Sequence, residues 1–398
     1  MKQSFRLGVT GALICVAAGV QADEWDWSAS IGLEGRYFLQ SGRWPGQDRD
    51  LQGSVLLAPE LRWRNQADNQ RISIIPFARI DSLDEERTHT DLREAYWAYE
   101  GDGWELLAGI NKVFWGVAES RHLVDIINQS DLLEDPDEED KLGQPMVNLA
   151  VQRDWGYLNF YLLPYFRQRN FPGREGRLRT ALPVAADQRE FTKGADEDDL
   201  DWALRYSHYF GSFDVGLSWF HGTSREPRFR LDPVNDVLIP VYDEIDQIGV
   251  DVQYTGDAWL WKLEAIARDG FTDNFIAVTG GFEYTLFQIS DTAADLGLLM
   301  EYHHDGRAVT EPFTLFDDDL FIGMRLSLND IQNTSVLGGI VYDLSSQASF
   351  INIEAERRIG DSLSAEFRLR IFAGAAPNNP DFAFERDDYA QILLTQYF

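Results

Sequence analysis

The feature that most constrains this chain is an alternation of apolar and polar residues, which recurs in about eighteen segments of about ten residues each. From Trp259 to Ala267, apolar residues occupy every second position, while Lys262 and Glu264 lie between them. A period of two places successive side chains on opposite faces of a β-strand. Roughly ten residues also suffice for a tilted strand to cross a bilayer. The predicted strands span 27–39, 52–63, 71–80, 89–99, 103–113, 146–154, 157–166, 200–210, 213–221, 246–254, 258–268, 275–287, 295–303, 318–327, 334–342, 348–358, 362–372 and 389–398.

The connections between these segments separate a membrane barrel from a soluble sandwich, which shows similar alternation. Short turns such as Gly211–Ser212 alternate with long loops at 114–145, 167–199 and 222–245. Short turns at one end and long loops at the other are typical of outer-membrane barrels. The predicted fold class is therefore all-β, a transmembrane antiparallel up-and-down β-barrel of about 18 strands, with 16 strands as the open alternative.

The N-terminus predicts export. Lys2 and Arg6 precede an apolar stretch over 7–20, and a small-residue site ends at Ala22. This is the pattern of a secretory signal peptide, so we assign 1–22 to the signal and 23–398 to a single barrel domain. No other segment approaches the roughly 20 apolar residues of a membrane-spanning helix. The only cysteine, Cys15, lies in the signal, so disulfide chemistry is not expected in the mature chain.

Composition narrows the function classes. The formal net charge of −31 makes the chain a poor candidate for nucleic-acid binding, which requires a basic surface. Aromatic residues make up 13% of the chain, although the mean hydropathy is −0.31. This combination suits a transmembrane barrel, because only alternate residues face lipid and aromatic girdles mark both interfaces.

The C-terminal segment carries a resemblance to a known family. The chain ends in a strand from Gln391 to Phe398 with a terminal aromatic, which resembles the last strand of bacterial outer-membrane porins, although Gln396 stands where an aromatic is common. A second pattern, at 109–116, 125–128 and 131–132, is similar to poorly characterised proteobacterial porin-type proteins. The resemblance implies a location in the Gram-negative outer membrane, with lipopolysaccharide as a neighbour. It also implies that the barrel-assembly machinery recognises Phe398.

A barrel of this kind is expected to act as a channel for passive diffusion of small hydrophilic solutes, without a cofactor. Charges on the inner face of the strands would set its selectivity. Arginines are well represented among them, which indicates a basic ladder and a bias toward acidic or aromatic compounds. A plug of paired charges is the alternative. The pore-lining candidates are Arg36, Glu60, Arg62, Arg79, Arg93, Arg153, Arg205, Asp251, Lys262, Glu264, Arg268, Glu301, Arg325, Glu354, Glu356, Glu366, Arg368 and Arg370.

The acidic run at 134–140 and the loop that carries it, 114–145, raise two questions. The run is a solvated outer loop, a divalent-cation site that bridges to lipopolysaccharide phosphates, or an acidic vestibule that favours cations. The weak metal-ligand candidates are Asp135, Asp137, Glu138 and Asp140. The run lacks calcium-loop spacing, which favours the solvated interpretation. The loop contains enough apolar residues to be folded, so it either dips into the lumen and narrows it or caps the outer mouth as a short helix.

Two other function classes remain open at this stage. A plugged structural or adhesive barrel would share the same sequence pattern. A surface enzyme is the third class, but the sequence contains no Gly-x-Ser-x-Gly elbow and no His-Glu-x-x-His helix. Only His303 and His304 are suggestive, and adjacent strand residues point to opposite faces, so surface placement is expected. We therefore expect no catalytic activity.

Overall fold

A closed antiparallel barrel of eighteen strands forms the body of the protein. The computed structural model describes residues 24–376 and 380–398, so the signal peptide predicted at 1–22 lies outside the described residues. The barrel strands are β1 Glu24–Phe38, β2 Leu51–Arg64, β3 Gln70–Asp81, β4 His89–Gly101, β5 Trp104–Asn111, β6 Gln144–Arg153, β7 Gly156–Leu163, β9 Asp201–Phe210, β10 Phe213–Thr223, β13 Glu244–Thr255, β14 Trp259–Asp269, β15 Phe275–Leu286, β16 Asp295–Asp305, β17 Asp318–Ser327, β18 Ser335–Asp343, β19 Ser349–Ile359, β20 Leu363–Ala373 and β21 Tyr389–Tyr397.

Three short strands and three single-turn helices lie in the connections. The strands β8 Glu190–Phe191, β11 Arg228–Asp232 and β12 Val237–Tyr242 form a separate small sheet in the order β11-β12-β8. The 3₁₀ turns span Ala186–Gln188, Ile289–Asp291 and Pro380–Ala383. No helix in the described part of the chain is both long enough and apolar enough to cross a membrane.

Barrel closure is made by the first and last strands. Each barrel strand pairs with the next one along the chain, and β1 pairs with β21 from Ser30–Tyr397 to Phe38–Tyr389. Phe398 continues this pairing, because its backbone N–H donates to the Ala29 carbonyl at 2.9 Å. Closure leaves no strand edge with unpaired backbone groups, which hydrocarbon would not tolerate.

The predicted strand count is confirmed, and the alternative of sixteen strands is wrong. Each of the eighteen predicted segments overlaps one barrel strand, with boundaries that differ by a few residues. The small sheet was not predicted. Its strands are short, and Pro240 interrupts the backbone donors of β12, so they carry too little of the period-two pattern to be recognised.

The outer face of the barrel is apolar and bounded by aromatic residues. Trp261, Ile322 and Met324 are exposed there, between two aromatic girdles. At the turn end the girdle contains Trp25, Trp104 and Trp259, and at the loop end it contains Tyr37, Trp219 and Tyr302. Since a soluble surface would not expose such a continuous apolar belt, the outer face is suited to lipid.

The two ends of the barrel differ in their connections. One end of the barrel has tight turns, including 102–103, 154–155 and 211–212. The N-terminal end of β1 and the C-terminal end of β21 lie at this same end. The other end has the long connections 112–143, 164–200 and 224–243. This matches the predicted wiring, and it concentrates the irregular chain at one mouth of the barrel.

A β-bulge between β3 and β4 directs the side chain of Arg93 into the barrel. The register between these strands shifts at Ile75 and Pro76, and Arg93 has no partner opposite it on β3. Pro76 cannot donate a backbone hydrogen bond, so the ladder is interrupted at this point. The bulge turns Arg93 into the barrel interior, where it is buried.

Candidate solute passage

The connection between β5 and β6, residues 112–143, folds back into the barrel, and we call it the inserted loop. Val124 and Ile127 of this loop are completely buried, and Trp115 packs edge-on against Tyr161 of β7 with 5.6 Å between ring centroids. These residues form one hydrophobic cluster with wall residues of β4–β7, β9, β10 and β13–β15. The apolar content of the loop thus gives it an anchored position inside the barrel. No helix caps the outer mouth within the described loop, so that expectation is wrong.

Two wall carboxylates hold the backbone of the inserted loop. Glu264 of β14 is fully buried and accepts N–H bonds from Val117 at 2.6 Å and Ala118 at 2.8 Å. Glu301 of β16 accepts from the N–H groups of Glu119 at 2.7 Å and Ser120 at 2.9 Å. An irregular segment provides few acceptors of its own, so buried N–H groups need acceptors from outside it. The two glutamates therefore determine where the loop crosses the lumen.

The acidic part of the inserted loop meets arginines on the opposite wall. Asp131 pairs with Arg93 at 2.7 Å, and Asp135 pairs with Arg368 at 2.7 Å. Arg370, which is fully buried, lies 2.9 Å from Asp137 and also pairs with Asp135. Glu134 pairs with Arg79 of β3. The expectation of a solvated outer loop is wrong for Glu134, Asp135 and Asp137, because their carboxylates neutralise wall arginines that would otherwise be buried without partners. Residues 138–140 are exposed, as expected.

The four weak metal candidates do not form a joint ligand set. Asp135 and Asp137 are bound to arginines, Glu138 pairs with Arg169 at 3.0 Å, and Asp140 is exposed. Among the described residues, two other groups bring three potential ligand atoms within 4.8 Å of one another. They are His89, Asp131 and Glu134, and Asp317, Asp319 and Asp343. In the first group the acids already contact arginines, whereas in the second no cationic side chain of the described chain lies within 4 Å of the acids.

Most of the other pore-lining candidates form either a buried set or a more solvent-accessible set, and two residues lie between these sets. The buried set lies in the half nearer the loops, where Arg36 donates to Gln391, Arg205 pairs with Asp251 at 2.8 Å, and Arg268 pairs with Glu226. A more solvent-accessible set lies toward the turns and contains Glu60, Arg62, Arg325, Glu356 and Glu366. Lys262, with Glu119 at 3.2 Å, and Glu354, with Arg370 at 2.6 Å, lie between the two sets.

One candidate, Arg153, does not lie in the interior. It is exposed at the turn end of β6, and its guanidinium donates to the carbonyls of Gly103 at 2.5 Å and Gln152 at 2.6 Å. The strand alternation places Asn148 inward, so Arg153 belongs to the opposite parity. The terminal residue of a strand beside a tight turn is a position where the alternation predicts side-chain direction poorly.

The two adjacent histidines lie on opposite faces, as predicted, but His303 is not at the surface. His303 is fully buried between Ser120, whose Oγ lies 2.9 Å from Nε2, and Thr279, whose Oγ1 lies 3.0 Å from Nδ1. His304 faces outward and meets Asp318 at 2.8 Å. The Ser120 hydroxyl donates to Glu301 at 2.6 Å, so this group joins the inserted loop to the wall. Within the described residues, no carboxylate contacts the His303 imidazole, so the arrangement there lacks the orienting acid of a catalytic triad.

A cavity of about 340 Å³ lies between the inserted loop, β14 and β17–β20. It begins among the outer loops at Val184 and Phe229 and reaches Glu354 in the middle of β19. Five phenylalanines, which we call the aromatic wall, line it on this side, namely Phe313, Phe316, Phe321, Phe350 and Phe372. Toward the turns, the solvent-accessible charges of Arg325, Glu356 and Glu366 follow on the same strands.

The sequence-based prediction of pore-lining residues included only charged residues, so it did not include the aromatic wall. Phe321 has the same strand parity as Arg325, and Phe372 has the same parity as Arg370, so the alternation contained the signal. The cavity also depends on glycine. A Cβ on Gly339 would come within 2.3 Å of the Phe321 ring, so the ring lies flat against the wall only because that side chain is absent.

The outer loops are joined by a buried carboxylate. Asp84, in the β3–β4 connection, is only 3% exposed and accepts the backbone N–H of Gly173 at 3.0 Å. Burial raises the pKa of Asp84 to about 6, and the N–H bonds from Gly173 and Glu86 oppose this shift. The 164–200 loop is thus attached to the neighbouring loop through a group that titrates near neutral pH.

Comparison with solved structures agrees with this architecture. OpdO (OccK3) of Pseudomonas aeruginosa is 11% identical, with a TM-score of 0.52 over 94% of this chain and 96% of that chain. OpdQ of the same organism is 12% identical, with a TM-score of 0.52 over 94% and 98%. The chain has a porin-type barrel fold. The resemblance to outer-membrane porins is therefore confirmed at the level of the fold.

A barrel with a different described role is similar to the same degree. Wzi of Escherichia coli, described as a carbohydrate-binding β-barrel involved in group 1 capsule assembly, is 10% identical, with a TM-score of 0.53 over 92% of this chain and 83% of that chain. No protein-family model matches the sequence. A search of curated proteins gives no match either. Function must therefore be argued from the barrel interior rather than from these similarities.

Proposed function

We propose that this protein is an outer-membrane channel for the passive diffusion of small hydrophilic solutes in a Gram-negative bacterium. The observation that carries the proposal is the route inside the barrel. The cavity begins at the loop end, reaches Glu354, and is followed by the solvent-accessible charges of Arg325 and Glu366 toward the turn end. A polar route inside a barrel with an apolar outer belt is the arrangement of a diffusion channel.

The proposal includes the location and assembly of the barrel. The apolar belt and aromatic girdles suit a bilayer, and the predicted signal at 1–22 would direct export. Recognition of Phe398 by the barrel-assembly machinery and contact with lipopolysaccharide belong to the same proposal. A catalytic role is not part of it, because Ser120 and His303 lack an orienting carboxylate.

The expected solute bias divides into two parts. The aromatic part is supported by the phenylalanine wall, which offers apolar and π surface to a passing ring. The acidic part would require free arginines, but Arg368 and Arg370 are paired with carboxylates of the inserted loop. We therefore retain a bias toward solutes with an aromatic or apolar group.

The alternative of a plugged barrel is favoured by one observation. On the side of β1–β4, Arg79, Arg87, Glu34 and Glu134 form a buried network that fills the interior. A fully satisfied network of this kind is rigid. If it extended across the whole barrel in the membrane, the protein would insert without conducting.

Planar-bilayer recording of the refolded protein tests the channel proposal. We expect stable single-channel steps. Leu315→Trp adds bulk to the cavity mouth without removing a polar contact, so it should lower the conductance. Val234→Trp, at an exposed position outside the cavity, is the matched control and should leave the conductance unchanged. Folded, inserted protein that gives no steps would refute the channel and support the plugged barrel.

A further inference from the structure

The cationic side chains that line the cavity already have partners. Seven of them line it, namely Arg121, Lys141, Arg169, Arg179, Arg225, Arg268 and Arg307. Six make ion pairs with carboxylates, as Arg121 does with Asp305 at 2.5 Å. Arg179 instead donates to backbone carbonyls, including that of Pro45 at 2.8 Å. Within the described part of the chain, the cavity therefore offers little free positive charge to an anion.

The acidic side chains of the same cavity are not all paired. Among the described residues, nine line it, and three of these make no ion pair with another described residue, namely Glu139, Asp319 and Asp343. Asp319 is 1% exposed, and the only hydrogen bond to its carboxylate from the described residues comes from the backbone N–H of Asp317 to Oδ2, at 2.8 Å. Its Oδ1 has no donor among the described residues. A buried carboxylate without a cation is costly, and a cationic ligand would relieve that cost.

The aromatic wall lies beside these acids. Phe321 is two residues from Asp319 on the same face of β17, and Val341 and Asp343 are opposite them on β18. Phe350 and Phe372 stack with 5.0 Å between ring centroids. Aromatic faces attract cations, and their apolar surface also accepts hydrocarbon groups. Carboxylate and ring surfaces together match a cation that carries an apolar group.

We propose that the passage prefers cations and that this cavity binds small organic cations with an apolar or aromatic group, with Asp319, Asp343 and Glu139 as the determinants. This rests on the proposed channel function and specifies its solute class. It reverses the selectivity expected from the arginines, because carboxylates of the inserted loop, the other loops and the wall neutralise these arginines in the folded barrel. A divalent metal ion at Asp317, Asp319 and Asp343 would use the same carboxylates, so the test separates the two cations.

The test combines channel recording with direct binding. In a potassium chloride gradient, we expect a potassium-to-chloride permeability ratio above one, and block by benzyltrimethylammonium but not by equimolar benzoate. Removing both charges in Asp319→Asn/Asp343→Asn should weaken the block by about fivefold or more, the size of a charge interaction of roughly 1 kcal/mol at partly solvated sites. Asp236→Asn is the control, since Asp236 lies in the exposed β11–β12 hairpin and its backbone φ of 52° suits asparagine.

The outcomes distinguish failure of the cation proposal from failure of the channel proposal. Chloride preference, or equal block by benzoate, refutes the cation proposal while the channel stands. If there is no conductance, the channel fails, and calorimetric titration of the folded protein in detergent then decides the binding question. Binding of benzyltrimethylammonium that the double variant loses supports the site, and equal binding to both proteins refutes it. Recordings with EDTA distinguish an organic cation from a divalent metal ion at this site. Block by benzyltrimethylammonium that persists without metal supports the organic-cation site, and binding of calcium alone refutes it.

Discussion

Glu264 provides the sharpest test of how the inserted loop is held, through the substitution Glu264→Gln. The buried carboxylate accepts N–H bonds from Val117, Ala118 and Val124 at 2.6, 2.8 and 3.2 Å. A bond to a charged acceptor contributes about 1 kcal/mol more than a neutral one. Loss of the charge from three bonds should therefore cost roughly 3 kcal/mol, which raises the open population of the loop by about 100-fold.

Hydrogen exchange of the folded protein measures this opening directly. In Glu264→Gln, the amides of Val117 and Ala118 should lose about two orders of magnitude of protection, while barrel-strand amides keep theirs. Glu105→Gln is the control, because Glu105 pairs with Arg71 at the turn end, at 2.6 Å, and does not contact the loop. Unchanged protection at Val117 in Glu264→Gln would refute the view that this carboxylate positions the loop.

Three further predictions follow from other parts of the barrel. Arg370→Met leaves Asp135 buried without one of its cations and should cost about 3–5 kcal/mol, seen as a lower urea midpoint of the detergent-solubilised protein; a midpoint equal to wild type would contradict the pairing. Burial raises the folded-state pKa of Asp84, so its contribution to loop attachment is present at low pH and lost as pH rises through about 6. Exchange of the Gly173 amide should therefore increase between pH 4 and 7 after correction for the intrinsic rate, and Asp84→Asn should remove this dependence; the same slope in both proteins would exclude Asp84 as its source. Ile322→Arg on the outer face should reduce insertion into lipid vesicles by the equivalent of about 2–4 kcal/mol, whereas full insertion would argue against a lipid-facing belt.

Glu301 and His303 show where the sequence pattern stopped being informative. The alternation placed Glu301 correctly on the inner face of β16, because side-chain direction in a strand is a local property. His303 has the same parity as Glu301, but it was expected at the surface. Their partners come from Ser120 and its neighbour in the inserted loop, more than 180 positions away in the chain. No local pattern encodes a contact of that separation, so the burial of His303 could not be predicted.

The acidic run at 134–140 shows an expectation that was wrong for part of a segment, since Glu134 and Asp135 are buried whereas residues 138–140 are exposed. A cluster of carboxylates in a long connection is usually solvated, and composition alone favoured that interpretation. The apolar residues of the same loop, such as Val124 and Ile127, pull it into the barrel, where Asp135 reaches Arg368 and Arg370. The sign of the free charge in the passage thus depends on which loop lies inside the barrel.

The sequence by itself determined the barrel: the number of strands, their inward and outward faces, and the end that carries the long loops. These follow from a period of two and from the placement of turns, and both are properties of neighbouring residues. Only the tertiary structure decided which interior charges are neutralised and which remain free. Asp319 and Arg370 look equivalent as inward charges along their strands, but the inserted loop brings partners to Arg370 and none to Asp319. Selectivity is a property of that residual charge, which exists only after distant segments have packed together.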